Sequence, residues 1–162
     1  MIAPIRIVGV GSPNGDDAVG REIVRYLRGR LAENSNIECF EIEGGQRLLE
    51  LLDGRGTLIL IDAITNGGLH GTVERIKWPD SRLETLSPGS THALRLAEAL
   101  QLAAALGLLP PETMIFAIAI DASASLGHRA GLSLELACRV PEIVREIEAE
   151  LTRGARRLAP RH

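Results

Sequence analysis

Short β-branched runs alternate with stretches of helical apolar spacing from one end of this chain to the other. That alternation commits it to helices layered on a sheet. Ile5–Val10 is an apolar run rich in β-branched residues and opening onto glycine, and Asp17–Leu31 then places Val19, Ile23, Val24, Leu27 and Leu31 at helical spacing. Ile37–Ile42 reads as the second strand and Gln46–Leu52 as a short helix. Thr57–Ile61 is wholly apolar after its threonine, as the central strand of a buried sheet should be. Thr72–Trp78 alternates as a fourth strand, Thr91–Leu106 is a long Ala/Leu helix, and Met114–Ile120 is a fifth strand. Leu134–Leu151 carries the stripe Leu136, Val140, Ile143, Val144, Ile147 and Leu151, and Pro141 should kink that helix.

One connection sets the direction of a strand. Between Asp62 and Thr72 lie nine residues, including Asn66-Gly67-Gly68. A parallel crossover needs about a dozen or more, normally with a helix. The fourth strand is therefore expected to run antiparallel to its neighbours. The twelve residues Pro79–Ser90 can return the chain, since they reach ~40 Å and a seven-residue strand spans ~23 Å. The Ala/Leu helix would then begin at the end of the sheet where the first and third strands finish.

With 162 residues, 45% apolar and 24% charged, the chain suits a single globular domain spanning residues 1–162. A net charge of −3 argues against a nucleic-acid partner. Arg153, Arg156, Arg157 and Arg161 read as a solvated, frayed end. Cys39 and Cys138 form neither a disulfide framework nor a CxxC knuckle, and their apolar surroundings point to reduced, buried thiols in a cytoplasmic protein. Met1–Val10, with Pro4 and Arg6, does not read as a signal peptide, and no apolar run reaches the ~20 residues of a membrane helix. No membrane partner is expected.

In open α/β sheets, ligands sit beyond the carboxyl ends of the strands. Asp17 after the first strand, Asp62 after the third and His92 at the start of the Ala/Leu helix should meet there. Two carboxylates and an imidazole make an O/O/N set for a divalent transition metal, with positions left open. The plainer alternatives are a helix-start carboxylate, a turn residue and a surface histidine. Dinucleotide binding is the rival for the Gly9-x-Gly11 loop, with Glu43 where a ribose-binding acid would sit, but Asn14 takes the place of the third glycine. Asp16 and Asp17 also stand where a pyrophosphate would dock. Each carboxylate–phosphate contact at ~4 Å costs on the order of 4 kcal/mol, against ~1 kcal/mol returned by a helix dipole. HExxH, GxSxG and GxxxxGK[ST] are missing, and no cysteine neighbours a histidine.

Ile7-Val8-Gly9-Val10-Gly11-Ser12 followed by Asp16-Asp17-Ala18-Val19-Gly20 resembles the opening signature of the hydrogenase maturation proteases. Leu58-Ile59-Leu60-Ile61-Asp62-Ala63 is similar to their second signature and Ser90-Thr91-His92 to their third, with weaker matches at Glu43-Gly44-Gly45 and Gly131-Leu132-Ser133. The segments cover nearly the whole chain in order. Ser12 stands where that family usually has asparagine and Glu43 where it often has aspartate, and Pro13-Asn14-Gly15 is one residue shorter than its common loop. Counting back from Gly20 assigns the ligand to Asp17, with Asp16 the alternative.

The resemblance implies a three-layer α/β/α sandwich on a five-stranded mixed sheet, order 2-1-3-5-4, with strand four antiparallel. It implies an endopeptidase, acting as a monomer, that removes the C-terminal extension of a [NiFe]-hydrogenase large-subunit precursor. Asp17, Asp62 and His92 would contact nickel already held by that precursor, so metal in the isolated protein should be weak or absent. A carboxylate, Asp16 or an unliganded Asp62, is the candidate general base. The alternatives are a non-catalytic, nickel-dependent chaperone or docking module of the same fold, and a nucleotide-binding domain.

Overall fold

Both faces of the first strand are buried, so helices must cover the sheet on two sides. The computed structural model describes residues 3–65, 68–85, 91–121 and 131–158, with side chains at 84–85, 91–95 and 154–158 outside the description. The elements are β1 (Ile5–Val10), a 3-10 turn (Gly15–Ala18), α1 (Val19–Arg30), β2 (Ile37–Ile42), α2 (Gly45–Leu51) and β3 (Thr57–Ile64). They continue with β4 (Val73–Lys77), α3 (Arg82–Thr85), α4 (Thr91–Ala105), β5 (Glu112–Ala119) and α5 (Leu134–Leu158). The sheet order is β2-β1-β3-β5-β4. Only β4 runs antiparallel, in register from Val73 opposite Ile118 to Lys77 opposite Met114. The short connection after β3 demands that orientation.

Alternation along the strands divides the core. Ile7, Ile59, Ile61, Phe116 and Ile118 pack against Val19, Ile23 and Leu27 of α1 and Leu136, Val140 and Ile143 of α5. On the other face Val8, Leu58, Leu60 and Ile115 meet Leu48 of α2 and Leu96, Leu100 and Ala103 of α4. The result is the expected α/β/α sandwich.

Several sequence expectations are corrected. β3 does not stop at Ile61. Its ladder with β5 continues through Asp62 opposite Ala117 to Ile64 opposite Ala119, because a buried carboxyl leaves the backbone bonds of a strand intact. Asp62 is therefore a strand residue. α5 passes through Pro141 and continues to Leu158, so Arg153, exposed as expected, Arg156 and Arg157 lie on a helix rather than a frayed end, while Arg161 is outside the described residues. Glu148 and Glu150 tie the later turns to Arg30 of α1 and Arg75 of β4. The thiols are not both buried: Cys39 is half-buried and Cys138 is exposed, since position 138 lies off the stripe that faces the sheet. Burial raises the Cys39 thiol pKa, with Arg28 opposing the shift. No helix among the described residues is long and apolar enough to cross a membrane.

Candidate active site

Two close backbone contacts bring the acidic residues together. A Cβ at Gly20 would lie 2.3 Å from the Ile61 carbonyl oxygen, so the first turn of α1 rests directly on the carboxyl half of β3. Gly11, at φ +150°, would place a Cβ 2.1 Å from the Asp17 carbonyl oxygen. Only glycine allows such approaches. The turn Gly15–Ala18 is thereby set over the carboxyl end of β3, and its Asp17 sits beside Asp62.

Asp17 Oδ2 accepts a hydrogen bond from the Ser12 N–H at 2.8 Å. Asp62 is 2% exposed, and its Oδ1 is buried without a hydrogen-bond partner. It shares the α4 face of β3 with Leu58 and Leu60 and lines a small cavity of about 20 Å³ walled by Leu96, Leu100, Ile115 and Ala117. Burial in that apolar setting pushes the Asp62 pKa up to about 8, with the Asp17 charge adding to the shift and a hydrogen bond from the Ala63 N–H opposing it. At neutral pH Asp62 thus keeps a proton. The pair is an oxygen-rich site whose buried member gains from the arrival of a positive charge.

Asp16 has different partners. It is 2% exposed, and its Oδ1 accepts the Ser133 N–H at 2.6 Å at the start of α5. Its Oδ2 has no hydrogen-bond partner and lies 3.6 Å from His70 Nε2. His70 Nε2 is in turn 3.2 Å from Ser133 Oγ, while His70 Nδ1 accepts the Asp121 N–H at 3.0 Å. Ser133 is the N-cap of α5, with Oγ accepting the Leu136 N–H at 3.4 Å. A serine ahead of an apolar helical stripe signals such a cap in the sequence. A lone histidine in a glycine-rich loop carries no such signal, and His70 was not anticipated.

Position 92 lies in the first turn of α4, on the face of the sheet that Asp62 occupies, but the His92 side chain is outside the described residues. Among the described residues no three His, Cys, Asp or Glu side chains form a group able to hold a metal ion. A groove of about 780 Å³ opens between α2 and α4, lined by Glu43, Gly45, Arg47, Glu98 and Leu102.

The α/β/α fold carries a pair of carboxyls, Asp17 and Asp62, toward the carboxyl end of β3. The chain is similar to the hydrogenase maturating endopeptidase HybD from Escherichia coli, at 24% identity over 93% of each chain with a TM-score of 0.77. HybD from Thermococcus kodakarensis, a [NiFe] hydrogenase maturation protease, matches at 24% identity over 91% of this chain and 98% of its own, with a TM-score of 0.64. HycI from Thermococcus kodakarensis matches at 20% identity over 89% of both chains, with a TM-score of 0.65. These likenesses concern the fold. The family model HycI, hydrogenase maturation protease, matches residues 22–150, and the chain belongs to that family. It is a peptidase. A comparison with curated protein sequences finds none that matches.

Proposed function

We propose that this peptidase removes the C-terminal extension from a [NiFe]-hydrogenase large-subunit precursor after nickel insertion, recognising the nickel that the precursor holds. The observation that carries the reading is the Asp17–Asp62 pair, in which a buried carboxyl keeps a proton and leaves one oxygen unpartnered. A cation brought by the substrate favours the ionised form of Asp62 and occupies that oxygen. Asp17 and Asp62 then steady the substrate's metal, and His92, at the start of α4, is assigned the third contact. The scissile carbonyl beside the nickel becomes more electrophilic, or a water beside it more acidic. Asp17 rather than Asp16 is the ligand in this reading, because it is the Asp17 charge that acts on Asp62, while Asp16 faces Ser133 and His70.

The precursor's tail lies along the groove between α2 and α4, where the half-exposed Leu102 offers apolar contact. The protein works as a cytoplasmic monomer and needs no metal of its own. Incubation with nickel-loaded precursor tests the reading by mass spectrometry. Loss of a C-terminal fragment from loaded but not nickel-free precursor is expected. Nickel-dependent binding without mass loss would instead identify a chaperone.

A further inference from the structure

We propose that His70 is a positioning residue for cleavage: through Nε2 it steadies Ser133 and Asp16, and so the turn that carries Asp17. The inference rests on the peptidase reading of the site but is argued from a cluster outside the Asp17–Asp62 pair. The imidazole joins three parts of the chain. It sits in the connection between β3 and β4, accepts the Asp121 N–H beyond β5 at 3.0 Å, and reaches Ser133 Oγ at the start of α5 at 3.2 Å.

Because Nδ1 accepts a hydrogen bond, the ring hydrogen is on Nε2. That hydrogen points to Ser133 Oγ, with Asp16 Oδ2 at 3.6 Å. The tautomer excludes Ser133 and His70 as a nucleophile–base pair, since Nε2 has no lone pair to take a hydroxyl proton. It excludes Nε2 as a metal ligand for the same reason. What remains is orientation. Asp16 and Asp17 are consecutive in one 3-10 turn, held from the α5 side by Ser133 N–H on Asp16 and from the β1 side by Ser12 N–H on Asp17. Loosening the first hold rotates the turn and carries Asp17 away from Asp62.

The loop does not depend on His70 for its own place. Gly71 N–H donates to the Ala119 carbonyl at 2.7 Å, Ala119 N–H to that of Thr72 at 2.8 Å, and Arg139 to the Gly71 carbonyl at 3.2 Å. Replacing the imidazole should therefore leave the fold standing.

Two substitutions separate the ring's two contacts. His70→Asn retains an acceptor near Nδ1 but lacks the reach to Ser133, whereas His70→Gln retains a donor near Nε2 but not the contact with Asp121. With nickel-loaded precursor, His70→Asn should lower kcat by about 10- to 100-fold, as a misplaced catalytic group does, with KM within about twofold. His70→Gln should recover most of that loss. In ¹⁵N–¹H spectra of the protein alone, the Ser133 and Ser12 amides should shift in His70→Asn and return toward their wild-type positions in His70→Gln.

Wild-type kcat in His70→Asn, or an unmoved Ser12 amide, would overturn the assignment. So would equal impairment of both variants tracking a fall in Tm. If the wild-type protein fails to shorten the precursor, the functional reading fails, and the amide shifts alone still decide whether His70 holds the turn.

Discussion

Replacing Asp62 with asparagine should make the metal-free protein more stable at neutral pH while abolishing its activity. The Asp62 pKa rises from 3.8 to about 8 on folding, first because the carboxyl is buried and second because Asp17 is near. In the unfolded chain the group ionises above about pH 4, whereas in the folded chain it holds its proton until about pH 8. Across that window the unfolded state binds fewer protons, so stability falls as pH rises, and the full penalty is present above about pH 8. At about 1.4 kcal/mol per pH unit the ceiling is about 2 kcal/mol at pH 5 and about 5 kcal/mol at pH 7.5. An amide of the same shape carries no such term. The advantage of Asp62→Asn should therefore grow by up to about 3 kcal/mol between those pH values. Urea unfolding of both proteins at pH 5 and pH 7.5, with metal removed and m unchanged, measures this directly. Parallel loss of stability in the two proteins would refute the reasoning.

Asp17→Asn should abolish processing with Tm nearly unchanged. Asp16→Asn should instead cost about 1–3 kcal/mol in denaturant unfolding, because it weakens a buried acceptor of the Ser133 N–H; equal stabilities would remove the distinction between the two acids. Gly20→Ala places a methyl group 2.3 Å from the Ile61 carbonyl oxygen and should cost about 1–3 kcal/mol or more, together with most of the processing activity. A neutral result by thermal melting and cleavage assay would mean that α1 does not rest on β3 as described. Leu102→Glu, at a side chain 48% exposed, should fold normally and raise KM for the precursor; an unchanged KM would take the groove out of the docking surface.

Much of the architecture was legible because chain length and glycine placement leave few alternatives. Nine residues after Asp62 cannot make a parallel crossover, and β4 runs antiparallel for that reason. The end of β3 was misplaced because an aspartate after four apolar residues looks like a turn. Backbone pairing with β5 continues through it, and burial is met by protonation, which polarity patterns do not express. In sequence only the count back from Gly20 separates Asp17 from its neighbour Asp16. Their different hydrogen-bond partners come from the start of α5 and the end of β1, and only the fold brings those segments to the same turn. His70 was invisible because its contacts are with Ser133 and the Asp121 backbone, both far from it along the chain.

The bond from Ser133 to Asp16 closes a loop of 117 residues. Contacts so distant in sequence carry the largest chain-closure cost and form late. During synthesis the acidic turn leaves the ribosome 117 residues ahead of the serine that steadies it. A nascent chain can thus hold Asp17 and Asp62 long before the clamp on their turn exists. The acidic turn gains its clamp only once the start of α5 has been made, and truncations ahead of α5 should be inert.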